Sequence, residues 1–527
     1  MHPPLPRPAA RLRSAALAVL LLLVALVVAA CGSEDDKQSA AAGPATLAPP
    51  AAALYGEALV RPDGDVGEGV RTAIRRVARI DDPGAELVRA LDESFAEDAG
   101  TYSYARDIEP WLGDTIGGFL LADAGTDLER PDGAFIVAVR DRDPAQELLD
   151  RTRADGDSRR GGTIDGVPYD VDEQEEMAIA LVGDFMVVGT LPALRAAVAA
   201  SRGDSLADSS RFTDAVDELD ADRLAWAWID PRPLLPLLLA EQDEVDPDLA
   251  RLLDSDAARN SAPATVSLTA RADEIVLEAS GDDGILPRPE DDGAVSIRDL
   301  PGDAWLALAT PALGPLISRS IRDAGQYDTA AGEVRDATGL DLDRDLLGWL
   351  GGLAAFVRGT SPLDLGGGLV LGSSDAAASQ RLVGRLERIV GNMGLATAPT
   401  TGSGDGFQVR VPQLPQPVVV LAEGDRVAIA LGLSSARDAL DPGESFADGE
   451  PGKSAIASLG DGYEPSLVLV VDPLLNLLAS LGLDSDPDYR SALPYLGAYR
   501  SFAAGTKYEG GRVSLRIVAA LQDPPTP

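Results

Sequence analysis

Few residues in this chain are of a type that usually performs chemistry. The single histidine is His2 and the single cysteine is Cys31, so catalytic triads and zinc sites built on His or Cys have no residues to use beyond position 31. The 85 Asp and Glu residues produce carboxylate pairs by chance. We therefore expect no catalytic residue, no metal site and no cofactor, in a protein that is not an enzyme.

Two local patterns look like chemical sites but fit a surface role better. Lys453 precedes Ser454, an arrangement that is usually solvated surface rather than a Ser/Lys dyad. The acidic run at 341–345 begins like a calcium loop. It then places Leu346 where the loop needs Gly and Gly352 where it needs a bidentate Glu. We interpret this run as the acidic N-terminus of a helix.

Cys31 has the clearest chemical role. Arginines at 7, 11 and 13 precede an apolar run at 15–30, which is shorter than the ~20 residues of a permanent membrane span. The run ends in Val28-Ala29-Ala30-Cys31, which resembles the lipobox of bacterial lipoprotein signals. The resemblance implies lipidation of Cys31 and a lipid anchor on the extracytoplasmic face of the cell membrane. The alternatives are an uncleaved signal anchor or ordinary cleavage after Ala30.

The charge of the chain limits its partners. The formal net charge is −40, which repels nucleic acid and anionic lipid headgroups. Lysine occurs only at 37, 453 and 507, so nearly all positive charge is arginine. We expect the partners to be the lipid bilayer, through acylated Cys31, and an envelope protein or wall component. No feature of the sequence specifies an oligomeric state.

Two halves of the chain repeat the same landmarks in the same order. The pairs Trp111/Trp349, Gly183/Gly424 and Asp230/Asp472 are separated by 238, 241 and 242 residues. A closing hairpin at 266–279 returns at 502–520. A nearly constant offset indicates tandem duplication, at a period far too long for a solenoid.

The predicted organisation follows from these landmarks. It comprises a signal peptide (1–30), the lipidated Cys and a flexible tether (31–50), a first α+β repeat (51–282), a linker (283–296), a second α+β repeat (297–521) and a tail (522–527). The fold class is α+β: two tandem homologous domains, each a largely antiparallel sheet with helices packed on one face.

The apolar patterning predicts the elements of these domains. Strands are predicted at 52–60, 116–121, 133–139, 178–182, 185–189, 224–229, 265–270 and 275–279. Helices are predicted at 145–153, 191–201 and 379–390. Two-residue hairpin turns are predicted at Gly183-Asp184 and Gly510-Gly511.

The repeated residues have structural interpretations. Asp230 and Asp472 each precede a proline and are predicted helix N-caps. Asp184 and Asp425 are turn residues. Trp111 and Trp349 are predicted to cover a core at a helix end, with Gly113 and Gly351 as the residues after that helix.

Trp226 and Trp228 are two residues apart, which places them on one face of a strand. We expect them to be buried beneath helices rather than to line a binding site.

Several of these segments together resemble a bacterial family of unknown function, domain family 3352. They are Ala-Leu-Tyr-Gly-Glu-Ala at 53–58, Pro-Trp-Leu-Gly at 110–113, Val-Gly-Asp-Phe at 182–185, Ser-Leu-Ala-Asp-Ser-Ser-Arg-Phe at 205–212 and Asp-Pro at 230–231. The resemblance covers about 50 to 520, although the second half keeps Phe-Ala-Asp at 446–448 and lacks the Ser-Arg-Phe. It implies an exported envelope protein and assigns no activity or site residue.

Two classes of function fit these observations. The first is a non-catalytic binding or scaffolding protein of the cell envelope. The alternative is a carboxylate-dependent hydrolase of cell-wall polymer, for which a cleft with two carboxyls ~5–10 Å apart would be the sign.

We predict that Cys31 anchors the protein. The wild-type protein should partition into the detergent phase on Triton X-114 extraction, because acyl chains bury many CH₂ groups. Cys31→Ala should move it to the aqueous phase. An intact mass that shows an unmodified Cys31 or a retained signal peptide would contradict the prediction.

Overall fold

The computed structural model describes residues 43–523 with gaps. The described ranges are 43–80, 82, 84–86, 88–90, 92–93, 102–122, 131–156, 158–172, 177–234, 260–284, 293–323, 325–400, 405–412 and 414–523. The predicted signal peptide, Cys31 and residues 32–42 of the predicted tether lie outside these ranges.

By its contacts the chain divides into two compact units. The first comprises Met1–Leu286 with Gly510–Val513, and the second comprises Pro287–Glu509 with Ser514–Pro527. The division between 286 and 287 falls inside the segment predicted as a linker.

The first ten strands along the chain pair antiparallel in one continuous order. They are β1 (Ala52–Leu59), β2 (Leu112–Leu121), β3 (Gly133–Val139), β4 (Arg159–Ile164), β5 (Val167–Asp172), β6 (Met177–Val182), β7 (Phe185–Gly189), β8 (Ala225–Ile229), β9 (Ala264–Ala270) and β10 (Glu274–Asp282). Their order across the sheet is β10-β9-β8-β1-β2-β3-β7-β6-β5-β4.

The remaining strands follow the same plan. They are β11 (Ala304–Thr310), β12 (Leu350–Arg358), β13 (Gly366–Ser373), β14 (Thr397–Pro399), β15 (Asp405–Val409), β16 (Val418–Glu423), β17 (Arg426–Leu431), β18 (Glu464–Val470), β19 (Tyr499–Glu509) and β20 (Arg512–Leu521). Their order is β20-β19-β18-β11-β12-β13-β17-β16-β15-β14, which is the first order strand for strand. The prediction of an α+β fold with antiparallel pairing is confirmed.

The helices connect the strands. They are α1 (Gly64–Ala78), α2 (Arg142–Asp155), α3 (Leu191–Ala200), α4 (Ser210–Val216), α5 (Leu313–Asp323), α6 (Tyr327–Thr338), α7 (Ala376–Asn392), α8 (Leu433–Leu440), α9 (Glu450–Ser458), α10 (Val471–Ser480) and α11 (Pro487–Leu496).

Helices cover both faces of each sheet, so the prediction of helices on one face is wrong. In the first unit, Leu181 of β6 packs in the cluster that contains α2, whereas its neighbours Ala180 and Val182 pack in the cluster that contains α3. In the second unit, α7 and α8 pack in separate clusters that share strands β16 and β17. The physical reason is that these strands are apolar at successive positions, and both faces of such a strand must be removed from water.

Glycine makes the central hairpin turn in each unit. Val182 pairs with Phe185, which leaves the predicted two-residue turn Gly183-Asp184 between β6 and β7. Gly183 and Gly424 both have φ of 59°, a conformation that a Cβ disfavours.

The predicted tether is too long. Ala45, Leu47 and Ala48 are buried in the core of the first unit, and a short 3₁₀ helix forms at Pro44–Thr46. The small, polar and proline-interrupted composition of this segment predicts a tether, but its few apolar side chains pack in the core of the first unit. The Ala48 carbonyl accepts from the Leu206 N–H at 2.7 Å.

The folded body also extends into the segments predicted as the linker and the tail. Val295 is buried, the Gly293 carbonyl accepts from the Gly352 N–H at 2.8 Å, and the Leu300 carbonyl accepts from the Phe446 N–H at 2.6 Å. This last bond repeats the one at Ala48. At the other end, the Gln522 N–H donates to the Ala498 carbonyl at 2.9 Å. Residues 293–296 and 522 therefore belong to the folded body.

We predict that Leu47→Ala destabilises the first unit. Leu47 is 5% exposed, and truncating a buried leucine lowers the free energy of unfolding by about 2–4 kcal/mol. The matched control is Leu363→Ala, which makes the same change at a side chain that is 94% exposed and should have little effect. Urea unfolding of both variants measures the difference in the free energy of unfolding. Equal free energies for the two variants would mean that residues 43–49 do not contribute to the folded core and belong to the tether.

Candidate functional site

A short turn places a carboxylate inside the first unit. Residues Tyr104–Ile108 form a helical turn with i to i+5 hydrogen bonds, and the Ser103 Oγ accepts from the Arg106 N–H at its start. The Trp111 indole Nε1 donates to the Asp107 carbonyl at 2.7 Å. Asp107 and Trp111 are both buried. We call residues 103–111 the first Asp–Trp turn.

The Asp107 carboxylate is surrounded by donors. The Ser103 N–H donates at 2.8 Å, and the Arg106 guanidinium donates through Nε at 3.1 Å and Nη2 at 2.7 Å. Arg151 of α2 forms a further ion pair from the other side. The carboxylate therefore ties the turn to the helix.

The second unit repeats this arrangement at residues 341–349, the second Asp–Trp turn. The Trp349 Nε1 donates to the Asp345 carbonyl at 3.0 Å, and the Asp341 N–H donates to the Asp345 carboxylate at 2.9 Å. The carboxylate also accepts from Arg344 Nε at 3.2 Å and Nη2 at 3.0 Å. Arg385 of α7 lies 3.0 Å away, where Arg151 stands in the first unit.

The arginines hold both carboxylates in the charged form. Burial raises the pKa of Asp107, but the hydrogen bonds from Arg106, Ser103 and Arg151 outweigh it and lower the pKa to about 2. At Asp345, the Arg344 hydrogen bond and the Asp341 N–H hold the pKa well below its usual range. Both carboxyls are therefore ionised near neutral pH.

The predicted burial of Trp111 and Trp349 is confirmed, but the predicted structure of the residues after each tryptophan is not. Trp111 and Trp349 lie in core clusters as expected. Gly113 and Gly351, however, lie inside β2 and β12 rather than after a helix, so this part of the prediction is wrong. The helical turn ends earlier and the chain enters the strand directly. A Cβ at Gly113 would lie 2.9 Å from the Ala138 carbonyl oxygen, so close strand packing explains this glycine.

A cleft opens beside the second Asp–Trp turn. It has a volume of about 170 Å³ and is lined by Arg344, Asp345, Ala378, Arg381, Leu382 and Arg385. Three guanidinium groups and one carboxylate give the lining a formal charge of +2, in a chain whose net charge is −40. This cleft is the candidate functional site, and its chemistry is that of anion binding.

The two units differ in charge at one position of this lining. Asp141 and Asp375 are the N-caps of α2 and α7, and each accepts from a backbone N–H in the first turn. Arg151 and Arg385 both lie ten residues after their cap. Six residues after the cap, the first unit has Glu147 where the second has Arg381. The excess of positive charge therefore belongs to the second unit.

Two more buried aspartates in the first unit are each paired with two arginines. Asp170 of β5 lies 3.0 Å from Arg153 Nε and 3.3 Å from Arg160 Nη1. Asp230 lies 3.1 Å from Arg211 Nη2 and 2.6 Å from Arg232 Nη2. Burial raises the pKa of Asp230, but the hydrogen bonds from Arg232 and Arg211 lower it overall.

The predicted N-cap role holds for one of the two Asp-Pro positions. The Asp230 Oδ1 accepts from the Arg232 N–H at 3.1 Å, and the helical residues begin at Pro231. Asp472 is the second residue of α10, so its prediction as an N-cap is wrong. The helix there begins at Val471, before the proline. The Asp472 carboxylate instead accepts from Gln522 Nε2 at 3.1 Å.

The other residues that the sequence singled out have surface roles. Asp184 and Asp425 are exposed in hairpin turns. Lys453 and Ser454 are exposed on α9, and the Ser454 hydroxyl donates to the Glu450 carboxylate at 3.3 Å. The acidic run at 341–345 begins a helical turn, in which the Asp341 carboxylate accepts from the Arg344 N–H at 3.0 Å.

The predicted burial is confirmed for Trp228, whereas Trp226 is half-buried, and the two rings lie near a group that the sequence did not reveal. Both indoles pack against Phe212 of α4, with ring centroids 5.7 and 5.6 Å apart. Tyr55, next to Trp226, donates its hydroxyl to Glu57 Oε2 at 2.8 Å.

Glu57 differs from the paired aspartates. Burial raises its pKa, and the Tyr55 hydrogen bond and the positive charge of Arg223 only partly offset this. Its signal in the sequence is a single acid inside an otherwise apolar strand.

The described residues give no sign of a metal or a membrane span. No three of their His, Cys, Asp or Glu side chains are grouped so that they could hold a metal ion. None of the described helices combines the length and the apolar composition that a membrane span requires.

Comparison with known proteins places the chain in a family. The model of a protein family of unknown function, DUF3352, matches residues 15–463. The chain belongs to this DUF3352 family. No curated protein matches it.

Solved structures of TP0453 are also similar to this DUF3352 protein over part of their length. Crystal form I is 13% identical and covers 46% of this chain and 80% of its own, with a TM-score of 0.25. Crystal form III is 14% identical and covers 46% and 81%, with the same TM-score.

We predict that Asp107→Asn destabilises the DUF3352 protein and flattens its acid response. Removing one partner of a buried ion pair costs about 3 kcal/mol. A carboxyl whose pKa is lowered from 3.8 to about 2 adds stability that is present above pH 4 and is lost as the pH falls to 2. This pH-dependent contribution to the free energy of unfolding is about 2 kcal/mol in wild type and should be absent from the variant.

Urea unfolding at a series of pH values from 2 to 7 measures both effects. Asp273→Asn, in the exposed turn between β9 and β10, is the control and should follow wild type. If Asp107→Asn and wild type lose stability in parallel below pH 4, the ion pairs do not set the acid response.

Proposed function

We propose that this protein is a lipid-anchored binding protein of the cell envelope without catalytic activity. Acylated Cys31 holds it on the extracytoplasmic face of the cell membrane. The support for the anchor is the apolar run at 15–30 and the Val-Ala-Ala-Cys at its end. The partner is an envelope protein or a wall component.

The observation that carries the binding role is the cleft at Asp345. Its carboxylate is fixed between Arg344 and Arg385 and is held ionised. Catalysis by a carboxylic acid near neutral pH needs a raised pKa, not a lowered one. The cleft presents fixed positive charge instead, which suits recognition of an anion.

We also infer that the two units are tandem homologous copies. The common strand order, the two Asp–Trp turns and the equivalent bonds at Ala48 and Leu300 support this. The copies would then begin near residues 43 and 293 rather than at the predicted 51 and 297. Binding by one copy and structural support by the other is the division that the difference at Glu147 and Arg381 favours.

A wall-polymer hydrolase is the second candidate, and Glu57 is the observation that favours it. A carboxyl with a raised pKa beside aromatic rings has the features of a general acid. The groups that offset the raised pKa are Tyr55 and Arg223, however, and not a second carboxylate acting as nucleophile or base. The binding role therefore accounts for more of the structure.

We predict that the purified full-length protein releases no soluble muropeptides from wall peptidoglycan. The reason is that, among the described residues, no second carboxyl acts on Glu57, whose raised pKa is offset only by Tyr55 and Arg223. The assay runs wild type and Glu57→Gln beside a known wall hydrolase. Release by wild type that disappears in a stably folded Glu57→Gln variant would replace the binding proposal with the hydrolase.

A further inference from the structure

We propose that the cleft beside the second Asp–Trp turn binds the phosphoryl group of a phosphomonoester. The cleft is the one lined by Arg344, Asp345, Ala378, Arg381, Leu382 and Arg385. The inference rests on the proposed binding function and names the chemical class of its ligand.

The first step is the orientation of two guanidinium groups. Asp345 accepts from Arg344 through Nε and Nη2 and lies 3.0 Å from Arg385 Nη1. A guanidinium has five N–H donors, so each arginine keeps further donors for another anion. Because Asp345 is anchored by the Asp341 N–H and by Trp349 through its carbonyl, the two arginines are held in place before a ligand arrives.

The second step is the surplus of positive charge. Arg381 is exposed on α7, and no hydrogen bond or ion pair to it is found within the described residues. Arg344 and Arg385 together with the Asp345 carboxylate have a net charge of +1. Arg381 raises the net charge of the lining to +2. A phosphomonoester carries about −1.5 to −2 at pH 7 and would neutralise it.

The third step is the match of shape and polarity. Arginine binds phosphate oxygens through paired, parallel N–H bonds, which a lysine cannot provide. Ala378 and Leu382 supply an apolar wall for the ester carbons. The volume of about 170 Å³ far exceeds what one water molecule needs.

The first unit provides an internal comparison. It has Arg106, Asp107 and Arg151 in the equivalent places but Glu147 in place of Arg381. Two arginines and two acids give a formal charge of zero, which offers a dianion no net attraction. The Asp–Trp turn is therefore structural in both units, and the binding property follows from Arg381.

The test measures phosphate binding to the full-length protein in non-ionic detergent by calorimetry. Inorganic phosphate should bind at one site per chain in the millimolar range or tighter, with an affinity that falls as salt rises. Arg381→Glu, which gives α7 the acid found in the first unit, should weaken binding about tenfold or more. Arg381→Gln should weaken it less.

The matched control is Arg388→Glu, the same charge reversal at an exposed position of the same helix outside the cleft. It should bind phosphate like wild type. Equal weakening by Arg388→Glu and Arg381→Glu, or no phosphate binding by wild type at millimolar concentration, would overturn the proposal.

Two further ligands identify the source of the phosphoryl group. Glycerol phosphate represents a soluble or wall-derived ester, and a short-chain phosphatidic acid below its micelle concentration represents a lipid headgroup. Tighter binding of either one supports the shared chemistry and assigns the source. If the protein does not bind phosphate, but Cys31 is acylated and the protein does not hydrolyse wall polymer, then the ligand class is wrong and the proposed function stands. Wall hydrolysis would overturn the proposed function itself.

Discussion

Each buried aspartate in the described part of the first unit lies beside two arginines. Removing a carboxylate from water costs several kcal/mol, and the pairing that compensates must have good geometry and use its lone pairs. Among the described residues of the first unit, the buried aspartates Asp107 and Asp230 each meet this condition with two arginines. Asp170 also lies beside two arginines, Arg153 and Arg160, but its Oδ1 accepts no hydrogen bond. Helix α2 supplies two of the six. Arg151 reaches the Asp–Trp turn and Arg153 reaches β5, so two ion pairs fix the position of the helix over the sheet.

Arginine is well suited to pair with these buried carboxylates. Asp107 and Asp230 each accept from several N–H groups at once, and a planar guanidinium supplies most of them in a fixed geometry. A chain with only three lysines has almost no other cation to use. The net gain over an apolar core is small by general experience with buried ion pairs, whereas losing one partner is expensive. The pairs therefore specify where the helix lies more than they add stability.

The sequence predicts features that depend on residues close together in the chain. It does not predict contacts between residues that are far apart in the chain. The hairpin turn at Gly183, the strands around it and the repeated Trp111 and Trp349 depend on neighbours within a few residues, so their patterns are visible in the chain. The partner of Asp107 is Arg151, 44 residues away, and no spacing rule identifies it. The same limit hid Glu57, whose raised pKa depends on burial beneath helices. It also hid the packing of residues 43–49, whose composition is that of a tether.

The comparison of the two units separates what the fold requires from what a site requires. Both keep the Asp–Trp turn and the helix arginine, at Arg151 and Arg385, which pairs with the carboxylate of the turn whether that carboxylate is buried, as at Asp107, or half-buried, as at Asp345. They differ where the fold makes no demand. Tyr55 of β1 corresponds by sheet register to Ala307 of β11, since each is paired with a phenylalanine, Phe119 or Phe356, on the next strand.

The aromatic cluster is therefore a feature of the first unit, just as the arginine-lined cleft is a feature of the second. The same strand order therefore accommodates large rings over the sheet of one unit and an arginine-lined cleft in the other. Glu147 and Arg381 are both exposed and lie at the same distance from their helix N-caps, so the charge there differs without any change in the order of the strands. The two units thus differ in the charge at a helix surface and in the side chains over the sheet, which are positions that the strand order leaves free.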